Sequence, residues 1–140
     1  MDFKKKILIV DDKSMNRFML AGIFGDEFEI VEAANGREAI EKIASEKESL
    51  GCILLDIIMP EIDGFGVLDY LKEHAMIDSI PVVIVTNDAS EDTGCRAYEY
   101  GVADMVIKPF EPRIIRRRVE NIMELYAYRE RERHGRKNDR

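Results

Sequence analysis

Four short apolar runs recur along the chain, within residues 7–10, 52–56, 81–86 and 104–107, and helical patterns lie between them. Each run is too short for a helix and is rich in β-branched residues, as strands buried on both faces are. The predicted strands are 7–10, 28–33, 52–56, 81–86 and 104–107. The predicted helices are 15–24, 37–46, 64–73, 90–100 and a last one that begins at Pro112. This alternation predicts an α/β fold, a single doubly wound five-stranded parallel sheet with right-handed crossovers.

The sequence also predicts local features of the first and fourth helices. For the first helix, Ser14 is the expected N-cap, because its hydroxyl can accept a hydrogen bond from the first turn. Phe18, Met19 and Ile23 are the expected buried face of that helix. In the fourth helix Gly94 costs roughly 1 kcal/mol relative to alanine. We therefore expect the fourth helix to be short or mobile.

The last helix has no breaking residue between Pro112 and Gly135. An apolar stripe runs along it, formed by Ile115, Val119, Ile122 and Tyr126. Beyond the stripe the charges alternate in sign, as on a solvated or paired signalling helix. We expect the helix to project to about Arg133, toward an output domain or a second copy; the alternative is a frayed tail. The predicted domain is 1–125, and 126–140 is a charged helical extension or linker.

Length, composition and charge limit the classes of protein to which the chain can belong. The 140 residues suffice for one domain, and 46% hydrophobic with 35% charged residues is typical of soluble globular proteins. Residues 1–110 hold 11 basic and 22 acidic side chains, whereas 111–140 hold 10 and 6. The basic residues of the end are interleaved with glutamates, so we expect no nucleic-acid binding by this chain alone. No segment has the length of a signal peptide or a membrane span, and Cys52 and Cys95 lack metal-like spacing. We expect reduced cysteines and a cytoplasmic protein.

Polar side chains follow four of the five predicted strands. Asp11 and Asp12 follow the first, Asp56 ends the third, Thr86 ends the fourth, and Lys108 follows the fifth. Parallel strands end at one edge of their sheet, where ligands bind in such folds. Alone, the first two aspartates are also compatible with a solvated turn and helix cap. Together with the other three residues they predict a site for magnesium and a phosphoryl group.

Five segments at fixed gaps resemble the receiver domain of bacterial two-component response regulators. The segments are 9–12, 54–64, 85–86, 101–104 and 107–110. The gaps are 44 residues from Asp12 to Asp56, 30 more to Thr86 and 22 more to Lys108. The resemblance covers residues 5 to about 125. It implies the flavodoxin-like strand order 2-1-3-4-5.

The resemblance also implies a phosphoryl site. Asp56 would accept a phosphoryl group from a histidine kinase, a phosphotransfer protein or a small phosphodonor. Thr86 would donate a hydrogen bond to one phosphoryl oxygen and Lys108 would pair with another, so these three would form the catalytic set. The peptide between Lys108 and Pro109 would be cis. A compact ammonium suits phosphate, and transfer of this kind depends on positioning and charge neutralisation.

A magnesium site belongs to the same set. The implied cofactor is Mg²⁺, held by Asp11, Asp12 and Asp56 with the backbone carbonyl of Ile58 as a further ligand. Carboxylate and carbonyl oxygens are the ligands that Mg²⁺ prefers.

The chain departs from the family pattern at a few positions. Met105 stands where an aromatic residue usually swings inward, and Asn87 stands where a small residue is usual, which would narrow access. Ile58 and Asp88 occupy the variable positions that flank the acceptor. The family also implies a homodimer through the fourth helix, the fifth strand and the last helix.

Two alternative functions remain open from the sequence. One is a Mg²⁺-dependent phosphohydrolase on a similar sheet, for which Asp63 is the candidate second acid/base group. The other is a phosphorylation-independent interaction domain. The favoured reading is a signalling switch that catalyses only its own aspartyl phosphorylation and dephosphorylation. The chain is either a complete single-domain regulator or the front piece of a longer protein.

Overall fold

The computed structural model describes the backbone of residues 5–138 and the side chains of residues 5–133. The strands are β1 (Lys6–Val10), β2 (Glu29–Ala33), β3 (Leu50–Leu55), β4 (Val82–Thr86) and β5 (Asp104–Ile107). The helices are α1 (Ser14–Phe24), α2 (Gly36–Glu46), α3 (Gly64–Glu73), α4 (Glu91–Tyr100) and α5 (Pro112–Asn138). None of these helices is long and apolar enough to cross a membrane.

All five strands are parallel and lie in the order β2-β1-β3-β4-β5, which confirms the predicted fold. Because side chains alternate along a strand, β1 contributes to a core on each face of the sheet. Leu8 and Val10 pack with residues of α2, α3 and α4, whereas Ile7 and Ile9 pack with residues of α1 and α5. The sheet is therefore covered on both faces, and its carboxyl-terminal edge stays open for a site.

Helix α1 begins one residue earlier than the sequence predicts. Ser14 is its first helical residue rather than its N-cap, and Lys13 occupies the cap position without a side-chain hydrogen bond. The Lys13 carbonyl accepts hydrogen bonds from the amides of Asn16 and Arg17, which starts the helix. The expectation of a Ser14 cap is wrong.

The buried face of α1 also differs from the prediction. Leu20 and Phe24 are buried, Ile23 is half-buried, and Phe18 and Met19 are 74% and 47% exposed. Almost every side of this helix carries a large apolar residue, so periodicity alone does not select a face. The pair four residues apart that contacts the sheet is Leu20 and Phe24, and the assignment of Phe18 and Met19 to the core is wrong.

Helix α4 is not shortened by Gly94. It runs for 10 residues, from the Ser90 cap, whose hydroxyl oxygen accepts the amide of Thr93, to Gly101 with a φ of 102°. Caps at both ends satisfy backbone groups that a helix otherwise leaves unpaired, and this offsets the weak interior glycine.

Helix α5 continues to Asn138, past the predicted end near Arg133. Of its predicted stripe, Ile115 and Val119 are buried, and Ile122 and Tyr126 are half-buried. The division of the chain into 1–125 and 126–140 stays a prediction. Residues 139 and 140 of the predicted extension lie outside the described residues.

One arginine joins α5 to the end of α1. The Arg116 guanidinium donates to the carbonyl oxygen of Ile23 and to the carboxylates of Asp26, Glu27 and Glu120, the last three at 2.8, 2.8 and 3.1 Å. Arg116→Met should lower the free energy of unfolding by roughly 1 kcal/mol, because four acceptors lose a shared donor at a partly exposed site. Urea unfolding measures this loss.

The loss should also depend on pH. The Arg116 guanidinium holds the pKa of Asp26 below its usual value, so the pair stabilises the fold above that usual value. The difference between wild type and Arg116→Met should shrink as the pH falls through the pKa of the folded Asp26. Arg113→Met is the matched control, since the Arg113 side chain is 96% exposed. Equal losses of stability in the two variants would show that the hydrogen bonds of Arg116 do not stabilise the fold.

Candidate functional site

The carboxyl-terminal ends of β1, β3, β4 and β5 bring the predicted site residues to one place. Asp11, Asp56 and Thr86 are 1%, 7% and 0% exposed, and they are the buried polar side chains among the described residues. Lys108 follows β5 and reaches the same pocket. Burying polar groups is costly unless they are paired, so this concentration marks the edge of the sheet as a functional site.

Lys108 bridges two of the aspartates. Its Nζ atom lies 2.8 Å from Oδ2 of Asp11 and 3.1 Å from Oδ2 of Asp56, and its side chain is 11% exposed. Burial alone lowers the pKa of Lys108, but the hydrogen bonds to Asp11 and Asp56 raise it above its usual value. The ammonium is thus a fixed positive charge beside the Asp56 carboxylate.

Three carboxylates converge at this position. Oxygen atoms of Asp11, Asp12 and Asp56 all lie within 4.8 Å of one another. A hard divalent cation that takes oxygen ligands and retains water fits this donor set. The amide of Ile58 donates to Oδ1 of Asp56 at 3.1 Å, which holds the start of the loop after β3 against the Asp56 side chain. The role of the Ile58 carbonyl as a ligand stays a prediction.

Residues of α1 orient Asp11, and sequence reasoning missed them. Asn16 Nδ2 donates to Oδ2 of Asp11 at 3.2 Å, and Arg17 donates to the Asp11 carbonyl at 2.8 Å. The Lys13 amide donates to Oδ1 of Asp11 at 2.9 Å. The sequence contained one indication of this role. These polar residues lie in the first helical turn after the aspartates, where their side chains can reach the end of the preceding strand.

The loop after β4 joins Thr86 to the start of α4. The amide of Asp88 donates to Oγ1 of Thr86 at 3.3 Å. The Asp88 carboxylate accepts the Thr93 hydroxyl at 2.6 Å and the Ser90 amide at 3.0 Å, and these bonds hold its pKa below the usual value. The Asp88 carboxylate therefore binds residues at the start of α4, while the Asp88 amide binds Thr86. A movement of Thr86 would change the contacts at the start of that helix.

A cavity of about 360 Å³ opens beside Lys108. Its walls come from α1, the loop after β4 and the loop after β5, and include Asn16, Met19, Leu20, Asn87 and Phe110. The peptide between Lys108 and Pro109 is cis, as the resemblance implies. Asn87 lines this cavity, so its side chain occupies space that a smaller residue at this position would leave open.

Met105 packs beneath α4. It is half-buried, and a β-carbon built on Gly94 would lie 3.8 Å from its sulfur atom. Arg118 of α5 pairs with both carboxylate oxygens of the preceding Asp104, at 2.8 and 2.7 Å, and donates to the Met105 carbonyl at 3.2 Å. The residue at the usual switch position therefore contacts α4 through its side chain and α5 through its backbone.

Asp63 does not join the site. Its side chain caps α3 by accepting the amide of Gly66 at 3.1 Å. The phosphohydrolase reading gains no second acid/base group from this residue.

Comparison with known proteins identifies relatives of the chain. The family model of the response regulator receiver domain matches residues 7–120. The transcriptional regulatory protein SrrA of Staphylococcus aureus is 38% identical over 119 residues, which are 84% of this chain and 47% of SrrA. The chain thus spans about half the length of the curated relatives it matches.

Solved structures share the fold. The CheX–CheY–BeF3–Mg²⁺ complex from Borrelia burgdorferi matches with a TM-score of 0.78 at 27% identity, over 84% of this chain and 87% of that one. The signal receiver domain of a Luxo repressor protein from Vibrio parahaemolyticus matches with a TM-score of 0.83 at 23% identity, over 91% and 95% of the two chains.

Proposed function

The chain belongs to the response regulator receiver domain family, and we propose that Asp56 accepts a phosphoryl group from a histidine kinase or phosphotransfer protein in the presence of Mg²⁺. The observation that carries this proposal is the convergence at the sheet edge. The Asp56 carboxylate lies 3.1 Å from the Lys108 ammonium and shares an all-oxygen cluster with Asp11 and Asp12. The phosphorylation-operated switch is the standard role of this family.

Each residue has a part in the transfer. A carboxylate is a modest nucleophile, so the site must position the donor and neutralise the phosphoryl oxygens. As the bond between phosphorus and the donor breaks, an oxygen of Asp56 forms the new bond. Lys108 then pairs with one phosphoryl oxygen and the Thr86 hydroxyl donates to another. A cavity lined by Lys108 lies beside these residues.

The cofactor in this proposal is Mg²⁺, held by Asp11, Asp12, Asp56 and the carbonyl of Ile58. Bound Mg²⁺ supplies positive charge to the phosphoryl oxygens. The solved Borrelia burgdorferi complex contains Mg²⁺ with a member of this fold, which supports the assignment. The cluster of carboxylate oxygens supports it independently.

The output surface in this proposal is the face of α4, β5 and α5, through which two copies associate after phosphorylation. Tyr98, Ile107 and Ile114 are exposed there at 51%, 38% and 57%. The extension from residue 126 continues α5 toward an output segment or a second copy. We place the protein in the cytoplasm, consistent with its free Cys52 and Cys95, and assign no nucleic-acid contact to this chain alone.

Incubation with acetyl phosphate and Mg²⁺ tests the function. A switch gains one acid-labile phosphoryl group per chain, detected by intact-protein mass spectrometry. A phosphohydrolase would release phosphate continuously without retaining a group, and a phosphorylation-independent domain would do neither. Either of these two results would contradict the proposal.

A second prediction concerns the switch. Met105→Tyr should change phosphorylation-dependent self-association without changing the labelled residue, because a tyrosine would pack toward α4 where Gly94 leaves room. Sedimentation of phosphorylated wild type and variant measures the association. Amide signals of residues 86–110 should shift on phosphorylation in both proteins. If they do not move, Met105 takes no part in a switch.

A further inference from the structure

The loop between β3 and α3 is held at its far end by Ile62. A β-carbon on Gly36, the first residue of α2, would lie 2.3 Å from the Ile62 carbonyl oxygen and 2.6 Å from its Cγ2. A β-carbon on Gly66, in the first turn of α3, would also lie 2.6 Å from that Cγ2. These separations are below van der Waals contact. The two glycines thus form a notch, and Ile62 fills it.

Side-chain caps hold the helix starts on both sides of the notch. Asn35 caps α2 by accepting the amide of Glu38 at 2.9 Å, and the Asp63 side chain caps α3. Within the loop, Glu61 has a φ of 64°, a left-handed conformation that a residue with a β-carbon adopts only when its surroundings enforce it. The contact of Ile62 with the notch lies at the next residue along the chain.

The opposite end of the same loop lies at the phosphoryl site. The Ile58 amide donates to the Asp56 carboxylate at 3.1 Å, and the Ile57 carbonyl accepts the amide of Gly64 at 2.9 Å. The backbone between Asp56 and α3 is therefore fixed at both ends, by hydrogen bonds near the acceptor and by Ile62 in the notch.

We propose that Ile62 is a positioning residue for the magnesium site: by filling the notch of Gly36 and Gly66 it fixes the loop that carries Ile58. Ile62 is 36% exposed, and its proposed action passes through the backbone of the loop. The inference rests on the proposed function, because it assigns a purpose to the loop only if Mg²⁺ binds beside it. Loss of a group that orients a metal ligand typically weakens metal binding by roughly 10- to 100-fold.

The geometry predicts different outcomes for alanine substitutions at the two glycines. In Gly66→Ala the new methyl meets only Cγ2 of Ile62 at short range, while the Ile62 β-carbon is 3.8 Å away. The double variant Gly66→Ala with Ile62→Ala therefore removes the clash and restores ordinary contact. In Gly36→Ala the obstacle includes the Ile62 backbone oxygen, so Ile62→Ala cannot relieve it. Neither glycine has a positive φ, so the effects are steric.

The readout is the Mg²⁺ dissociation constant, measured by calorimetry without a phosphodonor, together with the Mg²⁺-induced shift of the Ile58 amide in NMR. Gly66→Ala should weaken binding about 10-fold, the scale of an outer-shell defect. Adding Ile62→Ala should recover most of that loss, whereas it should recover none of the loss in Gly36→Ala. Gly22→Ala is the matched control, because nothing lies within 4 Å of its new methyl. It should leave Mg²⁺ affinity unchanged.

Thermal unfolding distinguishes positioning from general damage. If Gly66→Ala lowers the melting temperature but binds Mg²⁺ as tightly as wild type, Ile62 is only a structural residue and the inference is wrong. If the double variant binds no better than Gly66→Ala alone, the notch contact is not the cause and the inference is equally wrong. If wild type binds no Mg²⁺ at Asp11, Asp12 and Asp56, the proposed function itself fails.

Discussion

Replacing Asp56 with asparagine is expected to reduce phosphoryl uptake from acetyl phosphate to an undetectable level. The amide nitrogen that replaces one carboxylate oxygen is not a nucleophile toward phosphorus, and the variant also removes a negative charge from the proposed metal cluster. The amide oxygen can still accept the hydrogen bond that the Ile58 amide donates, so the loop after β3 should keep its conformation. Intact-protein mass spectrometry before and after treatment with hydroxylamine, which cleaves an acyl phosphate, measures the label.

A neighbouring aspartate offers the control. Asp63→Asn changes the same residue type in the same loop, but its side chain caps α3 outside the cluster. Asparagine is a good N-cap, so this variant should fold and accept the phosphoryl group normally. Removal of Mg²⁺ with a chelator should suppress labelling of wild type and of Asp63→Asn alike. Undiminished labelling of Asp56→Asn would refute the assignment of Asp56 as the acceptor. Labelling that the chelator does not reduce would refute the assignment of Mg²⁺ as the cofactor.

The sequence predicted the fold well because strand and loop chemistry agree along the whole chain. Runs such as Ile7–Val10 and Val82–Thr86 are buried on both faces, and a parallel sheet with helices on each side is the arrangement that buries them. Once the strands are parallel, the residues that end them must meet at one edge. That rule alone predicts that Asp11, Asp56, Thr86 and Lys108 lie together, and in the structure the Lys108 ammonium reaches both aspartates.

The sequence predicted less where a choice depends on tertiary packing. Helix α1 is apolar around most of its circumference, so the burial of Leu20 and Phe24 rather than Phe18 was decided by contact with the sheet and α5. The hydrogen bonds from Asn16 to Asp11 depend on where the helix begins, and element boundaries are the part of a fold that local pattern fixes least.

The notch around Ile62 was hidden for a different reason. Gly36 directly precedes the predicted helix 37–46, and Gly66, 30 positions further along, lies in the first turn of the predicted helix 64–73. Only the packing of α2 beside α3 reveals that both make room for one side chain. The length of α5 was similarly underestimated, since alternating charges are compatible with both a helix and a solvated tail.

Replacing Lys108 with methionine is expected to slow phosphorylation and to lower the stability of the protein without Mg²⁺. The side chain keeps its length and apolar stem but loses the charge that pairs with Asp11 and Asp56. Without an ammonium to pair with a phosphoryl oxygen, the rate of phosphorylation should fall by about 10²- to 10³-fold, the scale for loss of one charge-stabilising donor. Single-turnover labelling with acetyl phosphate at saturating Mg²⁺ measures the rate.

The same variant should be less stable when Mg²⁺ is absent. Two buried carboxyl groups then lack the cation that faces them, which should lower the free energy of unfolding by about 2 kcal/mol. Because a bound divalent cation replaces the missing charge, Mg²⁺ should stabilise Lys108→Met more than wild type, and ligand binding to the folded state accounts for the gain. Urea unfolding with a chelator and with saturating Mg²⁺ measures both effects.

Lys13→Met is the control, because Lys13 is an exposed lysine at the edge of the same cavity. It should change stability by less than about 0.5 kcal/mol. Equal stabilisation of wild type and Lys108→Met by Mg²⁺ would show that Lys108 and the cation do not share the charge of these carboxylates.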